Sequence, residues 1–166
     1  MTKVLVTGAT GYVGSRLIPR LLRDGHHVRA AVTDPDKARS KWWADQVELV
    51  RMDVLDAATV EAAVEGMDAV YYLIHALKGE DFTTTDRESA ENMAWAVAAA
   101  GVDVLVYLSG LVPDVPEEEL SEHITSRLEV ERILTGATAG IRVLTLRAAI
   151  VTGSGSTSSA VVRQIR

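Results

Sequence analysis

Apolar and polar positions along this chain fall into short apolar runs that alternate with stretches of helical period. Val4 to Val6 is an apolar run of strand type. Beyond it Val13, Leu17, Ile18, Leu21 and Leu22 share one helical face. Asp24-Gly25 stops that helix, glycine suiting the C-terminal position. His27 to Val32 reads as a second strand. Asp34-Pro35 turns the chain, proline suits a first helical position, and a short helix through Lys37 and Trp42 is expected. Val47 to Met52 is a third strand, ended by Asp53. Asp56 is placed to cap a helix carrying Val60 and Val64 that stops at Gly66. Asp68 to Ile74 is a strongly apolar fourth strand, and His75 to Thr85 a polar loop at the carboxyl edge. Asp86 to Ala100 is alanine-rich and helical, and Val102 to Leu108 is the fifth strand. Leu111 to Glu119 reads as a loop entering a helix, whose dipole Glu117, Glu118 and Glu119 would favour. That helix is expected to reach Leu134 and stop at Gly136. Arg142 to Leu146 is a sixth strand; Gly153-Ser154-Gly155-Ser156 is a flexible loop before a further helical pattern.

This alternation predicts an α/β fold: one domain over residues 1–166, built on a doubly wound parallel sheet in the order 3-2-1-4-5-6. Ligands of such sheets bind outside the carboxyl ends of the strands, where the order reverses. That draws Thr7 to Val13, the residues after Val32, Asp53, Ile74 to Ala76, Leu108 to Leu111 and Arg147 to Ile150 around one crevice. The first strand and helix are joined by Gly8, Gly11 and Gly14 at G-x-x-G-x-x-G spacing, the context of a dinucleotide-binding fingerprint. Gly8 would allow the tight turn, Gly11 the close approach of a pyrophosphate, and Gly14 the packing of helix on sheet. The helix N-terminus would hold the phosphates.

Composition narrows the classes. A net charge of −6 leaves no basic excess for a general nucleic-acid binder. With no cysteine, disulfides and thiol chemistry are excluded, which suits a cytoplasmic protein. The chain enters its first strand at once, so no signal peptide is expected. The longest apolar region, Met93 to Leu108, is broken by Gly101 and Asp103, so no membrane span is expected either. No histidines and carboxylates have metal spacing. Trp42-Trp43 is either an interaction patch or packing of the short helix, with packing preferred.

Thr7-Gly8-x-x-Gly11-x-x-Gly14 resembles the fingerprint of the extended and atypical short-chain dehydrogenase/reductases. With Tyr71 to His75, the Asp86 helix, Val106 to Leu111 and Leu146-Arg147-Ala148, the chain is similar to their NmrA-like branch, often described as nucleoside-diphosphate-sugar epimerases. The resemblance implies a Rossmann domain, an NAD(P) cofactor, and either oxidoreductase or epimerase activity or a sensor or scaffold without turnover. It puts Gly8, Thr10, Gly11, Tyr12, Val13 and Gly14 at the cofactor phosphates and Ile74 and His75 beside the cofactor. Asp53-Val54 would hold the adenine; a capping acid is the alternative for Asp53. The family's Tyr-x-x-x-Lys falls on His123-Ile124-Thr125-Ser126-Arg127. His123 would move the proton and Arg127 hold the nicotinamide ribose. The alternative is a surface pair on an amphipathic helix. The family serine is Ser109, or in the other register is replaced by Gly110. For His75 a hydrogen-bonded strand end is preferred to a proton donor. His26 and His27 lie at the opposite edge of the sheet.

NAD-selective folds place an acid at the end of the second strand. Here that position is Val32, followed by Thr33, while Arg16 and Lys37 could offer positive charge to a 2′-phosphate. Asp34 lies beside them, in a capping position. NADP(H) is the expected cofactor, with NAD(H) as the alternative. In extended members much of the substrate pocket lies beyond the sixth strand, so a C-terminal substrate lobe is expected outside these residues.

Overall fold

The computed structural model describes residues 1–75, 81–137, 140–149 and 151. Six strands form one parallel sheet in the order β3-β2-β1-β4-β5-β6. They are β1 (Lys3–Val6), β2 (His27–Val32), β3 (Glu48–Arg51), β4 (Ala69–Tyr72), β5 (Val104–Gly110) and β6 (Arg142–Ala148). Among the described residues five helices connect them: α1 (Gly14–Arg23), α2 (Pro35–Ala38), α3 (Ala57–Val64), α4 (Phe82–Ala100) and α5 (Glu122–Gly136).

Strand alternation divides the core. Val4, Val6, Val28, Ala30 and Val32 point to one face and bury against Ile18 and Leu21 of α1, Ala38 and Trp43. Leu5, Ala31, Val70, Tyr72, Leu105 and Tyr107 point to the other, under Val60 and Val64 of α3, Met93 and Val97 of α4, and Val130 and Leu134 of α5. Each fully buried Val or Leu contributes about 1.5–3 kcal/mol relative to exposure, so the two half-cores dominate the stability. Gly101, at φ 68, ends α4 in the left-handed conformation that glycine adopts without a Cβ penalty.

Several boundaries differ from those expected of the sequence. The second helix stops at Ala38, and Trp43 is instead carried in by a turn and a 3₁₀ turn at Ala44–Gln46. Trp43 is fully buried and Trp42 is 72% exposed, so the packing expectation holds for one indole only. The acidic run is not the first turn of α5. It forms a separate 3₁₀ turn, Glu117–Glu119, and extended Leu120 and Ser121 precede the helix. Glu117 is spent on an ion pair with Arg132, at 2.9 Å, which holds its carboxyl below the usual carboxylate range. α4 begins at Phe82, before Asp86. β5 is displaced towards its C-terminus, and so contains Ser109 and Gly110. Part of the polar loop after His75, Ile150, and the Gly153-Ser154-Gly155-Ser156 loop with the helical pattern beyond it lie outside the described residues. No described helix is long and apolar enough to cross a membrane.

Candidate functional site

The order of the sheet reverses between β1 and β4, and the crevice opens there. Thr7 closes its floor. It is buried, its Oγ1 donates to the Tyr71 carbonyl at 3.1 Å, and the same Oγ1 accepts from the Leu73 amide at 3.0 Å. Gly8 comes next at φ 60, where a Cβ would stand 3.3 Å from the Leu73 carbonyl. The Gly11 amide folds back on the Gly8 carbonyl at 2.9 Å. A Cβ on Gly14 would meet that carbonyl at 2.4 Å and Ala9 Cα at 2.8 Å, so α1 can approach the loop only without a side chain there.

The resulting helix start suits an anionic ligand. Val13, in the capping position, makes no side-chain bond, and the first turn of α1 has no acid. The Tyr12 and Val13 amides bond no backbone acceptor among the described residues. Thr10 and Gly11 are exposed at this mouth. Uncapped amides and the positive end of the dipole are what a pyrophosphate requires. Arg16 lies 3.7 Å over the Tyr12 ring and donates to the Tyr12 carbonyl at 3.2 Å.

At the end of β2, Val32 is buried, and Thr33 and Lys37 are exposed. Asp34 caps α2, its Oδ1 accepting from the Lys37 amide at 3.1 Å. At the end of β3, Asp53 Oδ1 accepts from the Leu55 amide at 3.1 Å, and Asp56 caps α3. Asp53 is therefore a turn residue rather than the helix cap, and it stays exposed. Val54 is half-buried against the α3–α4 core, and its carbonyl accepts from Asn92 of α4 at 2.9 Å.

On the other side of the switch point, Ile74 and His75 are half-buried beyond β4, with Ile74 Cγ1 3.5 Å from where a Gly8 Cβ would stand. His123 and Arg127, one turn apart on α5, flank the end of β5. His123 is exposed and stacks on Phe82 of α4, with ring centroids 4.5 Å apart and planes at 30°. Arg127 is half-buried over Gly110: a Cβ there would lie 3.4 Å from its Cδ. Ser109 is 2% exposed and its hydroxyl takes no hydrogen bond of ordinary geometry.

Beneath these groups lies a polar cluster that no sequence motif announced. Ser126 donates to Asp86 across α4 and α5 at 2.9 Å. Tyr72 and Tyr107, with ring centroids 5.9 Å apart, lie below them. Burial, with Asp86 adding to it, pushes the Tyr72 hydroxyl far above its ordinary range. Burial also pushes Tyr107 up to about 12. The His75 imidazole is held below its ordinary value by burial first and by the Arg127 charge next, with Asp86 pulling the other way. A weaker signal existed: Asp86 and Ser89 interrupt the buried face of α4 at helical spacing. Among the described residues no three of His, Asp and Glu could hold a metal ion.

The switch point carries an uncapped helix N-terminus after β1 and the half-buried His75 after β4. A family model described as NAD(P)H-binding matches residues 8–163. Cinnamoyl-CoA reductase 1 of Oryza sativa subsp. japonica is 33% identical over 113 residues, 64% of this chain and 33% of that protein. The 3 beta-hydroxysteroid dehydrogenase/Delta 5-->4-isomerase of Mycobacterium tuberculosis is 35% identical over 119 residues, 64% of this chain and 31% of the relative. Triphenylmethane reductase of Citrobacter sp., solved with NADP(H), superposes with a TM-score of 0.75 at 25% identity, covering 89% of this chain and 49% of that one. A nucleoside-diphosphate-sugar epimerase from Staphylococcus aureus shares the fold, with a TM-score of 0.73 at 20% identity over 87% of this chain and 50% of that one. The chain thus spans about a third of the length of these curated relatives.

Proposed function

The chain belongs to the NAD(P)H-binding family and is an NAD(P)-binding protein of the extended short-chain dehydrogenase/reductase type, and from that premise we propose that residues 1–166 are the cofactor domain of an oxidoreductase or epimerase-like enzyme. The observation that carries this reading is the glycine loop: an uncapped, acid-free helix start at the switch point of the sheet. The bound nicotinamide would supply or accept the hydride. Thr10, Gly11, Tyr12, Val13 and Gly14 hold the pyrophosphate by backbone; Asp53 and Val54 border the adenine; Ile74, His75 and Arg127 border the nicotinamide ribose.

His123 gives the substrate oxygen its proton. Imidazole exchanges protons near neutral pH, and this one is exposed at the mouth. Arg127 keeps the positive charge of the family lysine but stays protonated, so it holds and does not shuttle. Ser109 is a buried hydroxyl in β5, beside Tyr107. NADP(H) is the preferred cofactor, because Val32 places no acid against a 2′-phosphate and Asp34 is occupied as a cap.

A second reading, a cofactor-binding sensor without turnover, is favoured by one observation: position 123 is histidine and position 127 arginine where active members carry Tyr and Lys. Fluorescence titration with NADPH and NADH, then a screen of carbonyl substrates, separates the two. His123→Phe preserves a ring to stack on Phe82, so it should fold. It should lose turnover by at least about a hundredfold, the lower end for general acid–base catalysis. Retained turnover in that variant would leave His123 a packing residue, and binding with no oxidation of cofactor by any substrate would select the sensor.

A further inference from the structure

The arginines around α5 are paired. Arg87 meets Glu129 at 2.6 Å, Arg132 meets Glu117 at 2.9 Å, and Arg147 meets Glu131 at 2.9 Å. Arg127 lies on the same helix and is half-buried, yet among the described residues it makes no ion pair. In a chain with 23 acids and 17 lysines and arginines, carboxylates are in surplus. A half-buried guanidinium outside any ion pair keeps N–H donors available to an anionic ligand. The nearby Asp86 lies beneath, bonded to Ser126.

The surroundings of Arg127 are built for an oxyanion. Gly110 leaves its side chain room to lie along the end of β5. Its charge reaches the half-buried imidazole of His75, and His123 adds a second imidazole one turn earlier. A guanidinium presents five N–H donors in a planar fork that matches a carboxylate or phosphate, whereas the lysine usual at this place is a point charge. One edge can serve the nicotinamide ribose and another a substrate.

We propose that Arg127 is the oxyanion anchor of this crevice, so that the substrate carries a carboxylate or phosphate group held by Arg127 with His75 alongside. The proposal rests on the oxidoreductase reading above for the word substrate, but the anion site itself does not. It adds a recognition element to the reaction class: an anionic carbonyl compound and its alcohol, rather than a neutral one.

The test uses the full chain, with and without saturating NADPH. Oxalate, inorganic phosphate and the neutral isostere oxamide are titrated while the ring signals of His75 and His123 are followed by NMR. We expect oxalate or phosphate, and not oxamide, to move the His75 signals. That binding should weaken with salt and fall at least tenfold in Arg127→Gln. Gly110→Val, which crowds the arginine from below, should weaken it without removing the charge. Equal binding of oxamide, or unchanged oxalate affinity in both variants, overturns the proposal. So does competitive displacement of the anion by NADPH, which would assign the site to a cofactor phosphate. A chain that binds oxalate through Arg127 but no NADPH would sink the oxidoreductase reading and leave the anion site standing.

Discussion

Ser126 Oγ donates to Asp86 Oδ2 at 2.9 Å, and both residues are buried where α4 crosses α5. Ser126 directly precedes Arg127, so this bond also sets how α5 lies over the end of β5. Removing a partner from a buried hydrogen bond costs the desolvation of what remains, about 1–3 kcal/mol. Asp86→Ala should therefore lower unfolding stability by that amount, and Asp86→Asn, which keeps an acceptor for Ser126, should cost less. Urea unfolding measures both. Equal losses would mean that the charge of Asp86, not the bond, stabilises the contact.

Gly14 and Gly11 should separate fold from binding. A Cβ on Gly14 would run into Gly8 O at 2.4 Å and Ala9 Cα at 2.8 Å, both backbone, so neither can simply rotate away. Gly14→Ala should lose about 1–3 kcal/mol as an overpacked contact and bind no dinucleotide. A Cβ on exposed Gly11 would press only on Gly8 O, at 3.1 Å. Gly11→Val should cost less stability than Gly14→Ala and still fail to bind NADPH. Unchanged cofactor affinity in a folded Gly11→Val protein would remove the pyrophosphate from this loop.

His75 gives a pH signature. Burial first and Arg127 next lower its value below the ordinary 6.5, while Asp86 opposes them. By NMR its midpoint should lie below that value, rise in Arg127→Gln and fall further in Asp86→Asn. Between the folded value and about 6.5 the unfolded chain binds more protons, so stability rises with pH through that window and is lost as pH falls. A midpoint at or above the ordinary histidine value would place the ring in water rather than at the buried end of β4.

Cofactor choice turns on Asp34, whose Oδ1 caps α2 through the Lys37 amide. NADPH should bind more tightly than NADH, and the advantage should shrink with salt, as for exposed charges. Asp34→Asn keeps an acceptor at the cap and removes the negative charge. It should favour NADPH by a further factor of up to about five, the size of an exposed charge interaction. Paired titrations of the two reduced cofactors at two ionic strengths decide it. Tighter NADH binding would mean that Asp34 meets the ribose instead.

The amino-acid order alone was enough for the sheet. Six apolar runs separated by helical patterns have few parallel solutions, and Gly8, Gly11 and Gly14 marked the switch point because only glycine allows that turn and that contact with α1. Boundaries were less legible where tertiary contacts overrode local pattern. The acidic run looked like a helix entry by its charge, but Arg132, fifteen residues along the chain, draws Glu117 into a separate turn. Trp42 and Trp43 are identical by residue type, and only the path of the chain after Ala38 put one in the core and the other in water. The cluster of Tyr72, Asp86, Tyr107 and Ser126 has no motif, since its members come from two strands and two helices and are neighbours only once α4 and α5 pack on the sheet. The same holds for the surroundings of Arg127. Its spacing from His123 is written in the chain, but that no described carboxylate forms an ion pair with it was decided by how α5 is laid across β5, with Gly110 beneath it.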